Sequence, residues 1–349
     1  MPVLDDRKAA ILKAIVRDYV RSGEPVGSKR LVDEGDFGVS AATVRSDMVA
    51  LEQEGYIVQP HTSAGRIPTD KGYRYFVDVL AGQARMRPEQ RQALEQLLLG
   101  AHDLEDLLRR TSGVLSQVTR FAALVVAPRM DRSRLRHVEL VQLGPSSVLA
   151  VLIADTGRVE KRMLLLETPV ADHDVARARH AVNEAAAGLR ADQVPGVVSG
   201  VAAGAPPELR PLLEAVAEAV ERDLGDSPSA EQVFVGGSSN IAGPGYFDRI
   251  EQVKQVYETF EEQVILLETL RAALAVGDPA VRIGTEMPLV ELAACSVVAS
   301  TYGAGEAVGS IGVLGPTRMD YPRTLAAVQA VASSLEKALA ELTGAGAGT

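Results

Sequence analysis

The sequence predicts an α+β chain of more than one domain, and three observations predict it. Its 349 residues exceed what a single hydrophobic core ordinarily spans. The N-terminal part carries apolar residues at helical spacing, broken by turn residues and followed by two short extended runs. Further on, a central three-strand pattern and a late group of strands are each flanked by helical stretches. Hydrophobic residues make up 46% and charged residues 23%, a mix that argues against wholesale disorder.

Taken in order, Asp5 to Arg21 reads as a helix, with Ala10, Ile11, Ala14, Ile15 and Val16 inward and Arg7, Lys13 and Arg17 outward. "SGEPVG" breaks it. A short helix starts at Ser28 and stops at Gly35. Ser40 caps a third helix that ends at Gly55. "YIVQP" and "GRIP" are short extended runs around the tip "HTSA", and Thr69 caps the next helix, "DKGYRYFVDVLAG". Pro88 to about Thr119 is helical through Leu94, Leu97, Leu98, Leu104, Leu107 and Leu108. "HVELVQLG", "SVLAVLIAD" and "VEKRMLLLE" then form an antiparallel meander with turns at "GPSS" and "DTGR". Residues 172–224 are Ala-rich and helical. "EQVFVGGSSN" is a strand ending in a turn, and a long helix covers Phe247 to Ala275. "VRIGTE", "SVVASTYG" and "SIGVLGP" return to strands, and a helix from Tyr321 to Leu342 precedes the tail "TGAGAGT". The meander alone is too small to close a core. The late strands are expected to complete its sheet, which makes the residues between an insertion.

The composition sets limits on function. One cysteine, Cys295, leaves no intrachain disulfide framework and fits a reducing compartment. The N-terminus "MPVLDDRKAAIL" lacks the apolar stretch of a secretory leader. Runs such as "FAALVVA" fall far short of the roughly 18 apolar residues of a membrane span. A cytoplasmic setting with no membrane partner is expected. The formal net charge of -10 argues against a broadly phosphate-binding surface. Its distribution matters more. Residues 1–75 hold 11 basic and 11 acidic residues, so the acidity lies entirely in the remainder.

The neutral head has the pattern of a winged helix, three helices and a hairpin. In the third helix, Val44, Met48 and Leu51 form an inward stripe. Ala41, Thr43, Arg45 and Ser46 occupy the other face of its first turns. Small residues allow close approach to base edges, and Arg45 can reach a guanine edge or a phosphate. The helix N-terminus at Ser40 also attracts phosphate. At the hairpin tip, His61, Thr62, Ser63 and Arg66 are groove or phosphate donors, and Gly65 permits the turn. A protein-docking use of the same fold remains open on these residues alone.

"SAATVRSDMVALEQEGYI" resembles the S-x-x-T-[VI]-R-x-D-[LM]-x-x-L-E-x-x-G pattern of bacterial winged-helix repressors. "TVRSDMVALEQEGYIVQPHTSAGRIPTDKGYRYFVD", with "VRIGTE" and "VGSIGVLGPTRMDY" near the C-terminus, resembles the HrcA family, the heat-inducible transcription repressors. The likeness covers nearly the whole chain. It implies a winged-helix head, a GAF-like antiparallel-sheet domain and an inserted α/β dimerisation domain. The implied domains are residues 1–82 (head), 83–119 (helical linker), 120–170 with 276–343 (GAF-like), 171–275 (inserted) and 344–349 (flexible tail). It also implies repression of chaperone operons by a homodimer on an inverted-repeat (CIRCE-type) operator of double-stranded DNA, dependence on the GroE chaperonin, and no enzyme activity or cofactor. It places DNA contact at Ser40, Thr43, Arg45 and Ser46 and at the wing, His61 to Arg66.

Other candidates weigh less. "DHDVARARH" offers Asp172, His173, Asp174 and His180, but its histidines stand about two turns apart and no cysteine joins them, so a solvated helix start is the better reading than a metal site. In "GAGEAVG", Gly303, Gly305 and Gly309 read as a hairpin, because a dinucleotide motif needs its third glycine where Val308 stands. Arg318 and Asp320 in "GPTRMDY" could form an intradomain ion pair, a contact across a dimer, or a ligand clamp. Ile250, Val253, Tyr257, Phe260, Val264 and Leu267 step by alternating threes and fours, a coiled-coil-like seam expected to mediate dimerisation. Two rival functions stand beside the repressor reading: a metabolite-responsive repressor with a ligand in the GAF-like domain, and a winged-helix docking scaffold.

Overall fold

The computed structural model describes residues 4–343 apart from 36, 62–63, 81–83, 129–132, 225–231, 244–245, 248 and 305–306. It mixes helix and sheet, as expected of an α+β chain.

The head is built as its residue pattern requires. α1 (Asp6–Ser22) starts at Asp5, whose carboxylate accepts from the Lys8 amide, and ends at Gly23 in a left-handed conformation. α2 spans Ser28–Glu34 and α3 spans Ala41–Gln53. Two short strands, β1 (Ile57–Val58) and β2 (Ile67–Pro68), pair antiparallel. α4 (Asp70–Tyr75) is capped by Thr69 and runs on as one π-turn over Phe76–Leu80. Ile11, Leu12, Ile15 and Val16 of α1 pack with Val44, Met48 and Leu51 of α3 and with Tyr56, Ile57 and Tyr73. Gly72 is needed here because a Cβ would strike the Tyr56 carbonyl oxygen.

The stretch from Pro88 divides into α5 (Pro88–Leu98) and α6 (Leu104–Thr119). Gly100, at a φ of 73°, makes the break. Next come β3 (Ala122–Val126), then β4 (Leu135–Gly144), β5 (Ser147–Ala154) and β6 (Val159–Leu165). α7 (Asp172–Ala186), α8 (Val194–Gly204) and α9 (Arg210–Leu224) follow, then β7 (Val233–Gly236). α10 (Ile250–Glu261), α11 (Gln263–Leu274), β8 (Ala280–Ile283), β9 (Cys295–Ala304), β10 (Ala307–Pro316) and α12 (Tyr321–Thr343) complete the chain.

These strands make two larger sheets, not one. The main sheet has the order β7-β3-β10-β9-β8, with every pairing antiparallel. Every residue of β3 is buried, because both faces of the sheet are covered. Ala123 and Val125 face Leu107, Leu108, Val328 and Leu335 of α6 and α12. Ala122, Leu124 and Val126 share the opposite core with Leu266, Leu270 and Ala273 of α11. The hairpin expected around Gly303 and Gly309 is the β9–β10 pairing, with Ala304 opposite Ala307.

The meander β4-β5-β6 stands apart as its own sheet. The expectation that the late strands complete it is corrected: they join β3 in the main sheet, β10 pairing with it directly. Val148, Ala150, Leu152 and Ala154 of β5 close a local core instead with Val175, Ala178 and Val182 of α7 and with Val198, Leu213 and Val216 of α8 and α9. Alternation shows which face of a strand is buried but not which partner covers it, and the small alanines let these helices lie close.

The long helix expected over Phe247–Ala275 is also corrected. It is interrupted at Glu262, which has φ -102° and ψ 90° between α10 and α11. The six residues of the seam therefore do not share one straight stripe. Tyr257, Phe260 and Leu267 pack against the core of their own sheet. Ile250 is 75% and Val264 65% exposed, and Val253 is half-buried.

Candidate nucleic-acid interface

α3 presents its first two turns to solvent. The Ser40 hydroxyl accepts from the Thr43 amide at 3.3 Å and lies 3.1 Å from the Thr43 hydroxyl. Ser40, Arg45 and Ser46 are exposed and Thr43 is half-buried. Val44, Asp47, Met48 and Leu51 face inward. Asp47 is held by Arg7 of α1, whose Nε donates at 2.7 Å and whose second nitrogen donates at 3.2 Å. That bidentate pair ties α3 to α1 beside the buried Val44, Met48 and Leu51, which turn the opposite side of α3 outward.

The hairpin is braced from inside. Arg66 Nε donates to Glu52 at 3.0 Å, and its side chain is only 17% exposed. Its backbone forms a two-bond bridge with Val26, each bond 2.9 Å. Glu52 also accepts from the Gln59 amide, and the Gln59 side chain donates to the Ala64 carbonyl. Arg66, read from sequence as a groove or phosphate donor, is thus engaged within the head. Gly65 has a different role from the expected turn. A Cβ there would lie 2.5 Å from the Val26 carbonyl, so glycine is required by close approach of two backbones. His61 is exposed. Thr62 and Ser63 lie outside the described residues.

The neutral charge balance of the head resolves at this level. Arg21 and Arg30 share the buried Asp18 carboxylate, at 2.9 and 2.7 Å, and both also reach Glu34. Glu34 is held below the usual carboxylate range, mainly by its hydrogen bond from Arg21. Lys8 pairs with Asp5 and Glu54. Among the described residues, Lys13, Arg17, Lys29 and Arg45 make no such pair. Lys29, exposed on α2, was missed in reading the sequence. The sequence held no signal for this: each has an acid one turn on, Asp33 for Lys29 and Glu34 for Arg30.

The head is seated on the body by the segments "TDKGYRYFVD", "VRIGTE" and "GPTRMDY", which lie far apart in sequence. Arg74 Nε donates to Glu286 at 2.8 Å, its Nη2 reaches both Glu286 and the Val281 carbonyl, and its Nη1 donates to Asp78. This partner raises the Arg74 pKa above its ordinary value. Asp70 accepts from the Thr285 amide at 2.9 Å. Gly284, at φ 53°, leaves room for the Asp70 carboxylate. The Tyr73 and Tyr321 rings lie 5.7 Å apart. Arg318 approaches Gly23 at the end of α1, 5.9 Å from the centre of the Tyr19 ring and 6.0 Å from that of Tyr246. Asp320 instead accepts from the Arg323 amide at the start of α12. Arg318 thus lies over two aromatic rings, and Asp320 caps α12.

The family profile described as the HrcA protein C-terminal domain matches residues 105–325. The chain belongs to the HrcA family of heat-inducible transcription repressors. It is 48% identical to the HrcA of Acidothermus cellulolyticus over 97% of this chain and 100% of that one. It is 46% identical to the HrcA of Frankia casuarinae, over 98% of this chain and 100% of that one. The Streptomyces avermitilis HrcA is 46% identical over 97% of this chain and 100% of its own. All three relatives are heat-inducible transcription repressors. A crystal structure of a hypothetical protein at 2.2 Å resolution shares the fold, with a TM-score of 0.65 and 24% identity over 97% of this chain and 100% of that one. Among the described residues, no helix is long and apolar enough to cross a membrane.

Proposed function

We infer that this HrcA-family chain represses heat-shock genes by reading DNA with α3 as the recognition helix of a winged-helix head. The observation that carries the reading is Arg45, exposed on the first turns of α3 and unpaired among the described residues, beside Ser40, Thr43 and Ser46. A guanidinium free of internal partners can take a guanine edge or a phosphate without first breaking an ion pair. Lys29 of α2 and His61 of the hairpin, both exposed, are assigned to backbone contacts. Arg66 acts instead as a brace that fixes the hairpin against α3.

The body makes the repressor a dimer. The five-stranded unit corresponds to the GAF-like domain and the separate core of residues 135–220 to the inserted dimerisation domain. The outer face of the meander then replaces the Ile250–Leu267 seam as the dimer surface. Val141, Leu149 and Met163 lie side by side across β4, β5 and β6, and Val159 and Leu165 extend the apolar patch. One side of this sheet packs on α7–α9, and among the described residues the other carries these exposed apolar side chains. Such a patch marks an association surface. A two-fold dimer demands an inverted-repeat operator, and linking two heads multiplies affinity by about 10²–10⁴. The GroE chaperonin enters from the family resemblance, as the factor that restores the active fold after heat.

Selection of bound sequences from random duplex DNA tests the core of this reading. An inverted repeat is the expected outcome. A chain that retards no duplex at low salt would sink the DNA-reading role in favour of a docking scaffold. Loss of binding on warming, with recovery equal in the presence and absence of chaperonin and ATP, would remove the chaperonin from the account.

A further inference from the structure

We propose that the hollow between the linker after the head and α12 is a binding site for a small organic anion bearing phosphate. The cavity has a volume of about 760 Å³, within the range of small-molecule pockets. Arg85, Arg87, Arg120 and Arg323 line it, with Asp320 as the carboxylate among the lining residues. None of the four guanidinium groups makes an ion pair or side-chain hydrogen bond among the described residues. Asp320 is already engaged, accepting from the Arg323 backbone amide. Four cations around one hollow repel one another, and a multiply charged anion relieves that repulsion.

Arg120 supplies an independent observation. It closes α6 in a left-handed conformation, φ 64°, and is the non-glycine residue with positive φ among the described residues. Glycine suits that position better. An arginine there brings strain and delivers a charge to the cavity wall. A helix N-terminus adjoins the same space: α5 begins directly after Arg87, which gives no side-chain cap, and its amide groups add positive potential.

Phosphate could arrive on a small molecule or in a DNA backbone. The form of the site favours the first. It is concave, and Met86, Val118, Phe121 and Ala327 give it an apolar floor that suits the body of an organic ligand and not a sugar-phosphate chain. A second hollow of about 600 Å³ shares Ala84, Arg85 and Ala326 with it and reaches Val77 and Asp78, where the chain leaves the head. An occupant therefore touches both the segment that carries the head and the body helix α12. Anion binding is in this way coupled to the placing of the head, and by reciprocity DNA binding is coupled to the anion.

The test is isothermal titration of inorganic pyrophosphate into the full chain at constant ionic strength. Saturable binding at one site per chain is expected. Arg120→Gly should fold at least as well as the parent, since glycine relieves the strained position. Both it and Arg323→Gln should weaken pyrophosphate by about tenfold or more. Lys254→Gln, on the exposed surface of α10, should change nothing. Heats that do not saturate, or arginine variants that bind like the parent, would overturn the proposal. A second arm separates the two sources of phosphate. In phosphate-free buffer, Arg120→Gly should hold the duplex recovered by selection as tightly as the parent. A weaker grip there would hand these arginines to the DNA backbone and also overturn the small-anion assignment. Because the parent's grip on that duplex is measured in the same experiment, failure of the anion site and failure of the repressor reading are distinguishable.

Discussion

Arg45 on α3 and Arg66 just before β2 should fail in opposite ways when truncated. Arg45 is exposed and unpaired among the described residues, so Arg45→Ala should leave folding stability within about 0.5 kcal/mol of the parent. Its loss should appear in binding. One base-reading arginine contributes about 1–3 kcal/mol. Two heads on one operator lose that twice, so operator affinity should fall by about 30-fold or more. Arg66 is the reverse case. Its guanidinium is mostly buried against Glu52, and Glu52 keeps a bond from the Gln59 amide when Arg66 is removed. Deleting a partly buried charged hydrogen bond of this kind costs about 1–2 kcal/mol of stability. The backbone bridge to Val26 survives the truncation. Arg66→Ala should therefore lower the melting temperature while leaving the salt slope of DNA binding unchanged at temperatures where the head is folded. Fluorescence anisotropy on operator and random duplexes at several salt concentrations, with a thermal melt of each variant, reads both quantities. Equal losses for Arg45→Ala on operator and random DNA would refute base reading. A salt slope shallower by about one ion per head for Arg66→Ala, with the melt unchanged, would return Arg66 to the DNA backbone.

Further outcomes follow from the same contacts. Arg74→Ala removes the bidentate pair with Glu286 and the bond to the Val281 carbonyl; with both side chains partly exposed, it should cost about 1–3 kcal/mol, and an unchanged melt would mean the head is seated by its apolar contacts alone. Met163→Asp, at a side chain half exposed on the meander, should give a folded monomer by sedimentation, whereas Phe260→Asp should lower the melting temperature, because Phe260 packs on its own core; a folded, monomeric Phe260→Asp would restore the seam as the dimer surface. Burial pushes the Cys295 thiol up to about 12. The raised value means that stability from this group is present below the unfolded thiol's pKa of about 8.5 and is lost as pH rises above it. A stability curve that stays level through that range in the parent but not in Cys295→Ala would contradict this, and a thiol reagent should label Cys295 only as heat opens the main sheet.

How much of this was legible in the sequence differs by element. The head was read closely, because its signals are local. Ser40 and Thr69 cap the helices they precede, and the Val44, Met48, Leu51 stripe is buried as its spacing requires. Hydrogen bonds over three residues and one turn of helix leave a mark in sequence that needs no partner from elsewhere. The segments shared with the HrcA family were also plain as strings, though nothing in them announced that Arg74, Glu286 and Tyr321 meet at one junction.

What the chain could not reveal by itself lies in contacts between distant residues. The meander reads as three strands, yet its pattern is equal to extending another sheet or closing a core of its own; only the packing of α7–α9 on β5 decides. The seam over Ile250–Leu267 has the spacing of a coiled coil, but the break at Glu262 turns α11 onto the main sheet, where Leu266 and Leu270 are buried. Arg66 looks like a donor beside a tip until Glu52, fourteen residues away, is found against it. Gly65 looks like a turn residue until Val26 closes on it. Periodicity and caps are determined by neighbours within a turn or two, so sequence alone determined the helices of the head, the strands of the meander and the exposed face of α3. Which sheet a strand joins and which charges remain free are set by groups brought together over long loops, and those the tertiary structure decided.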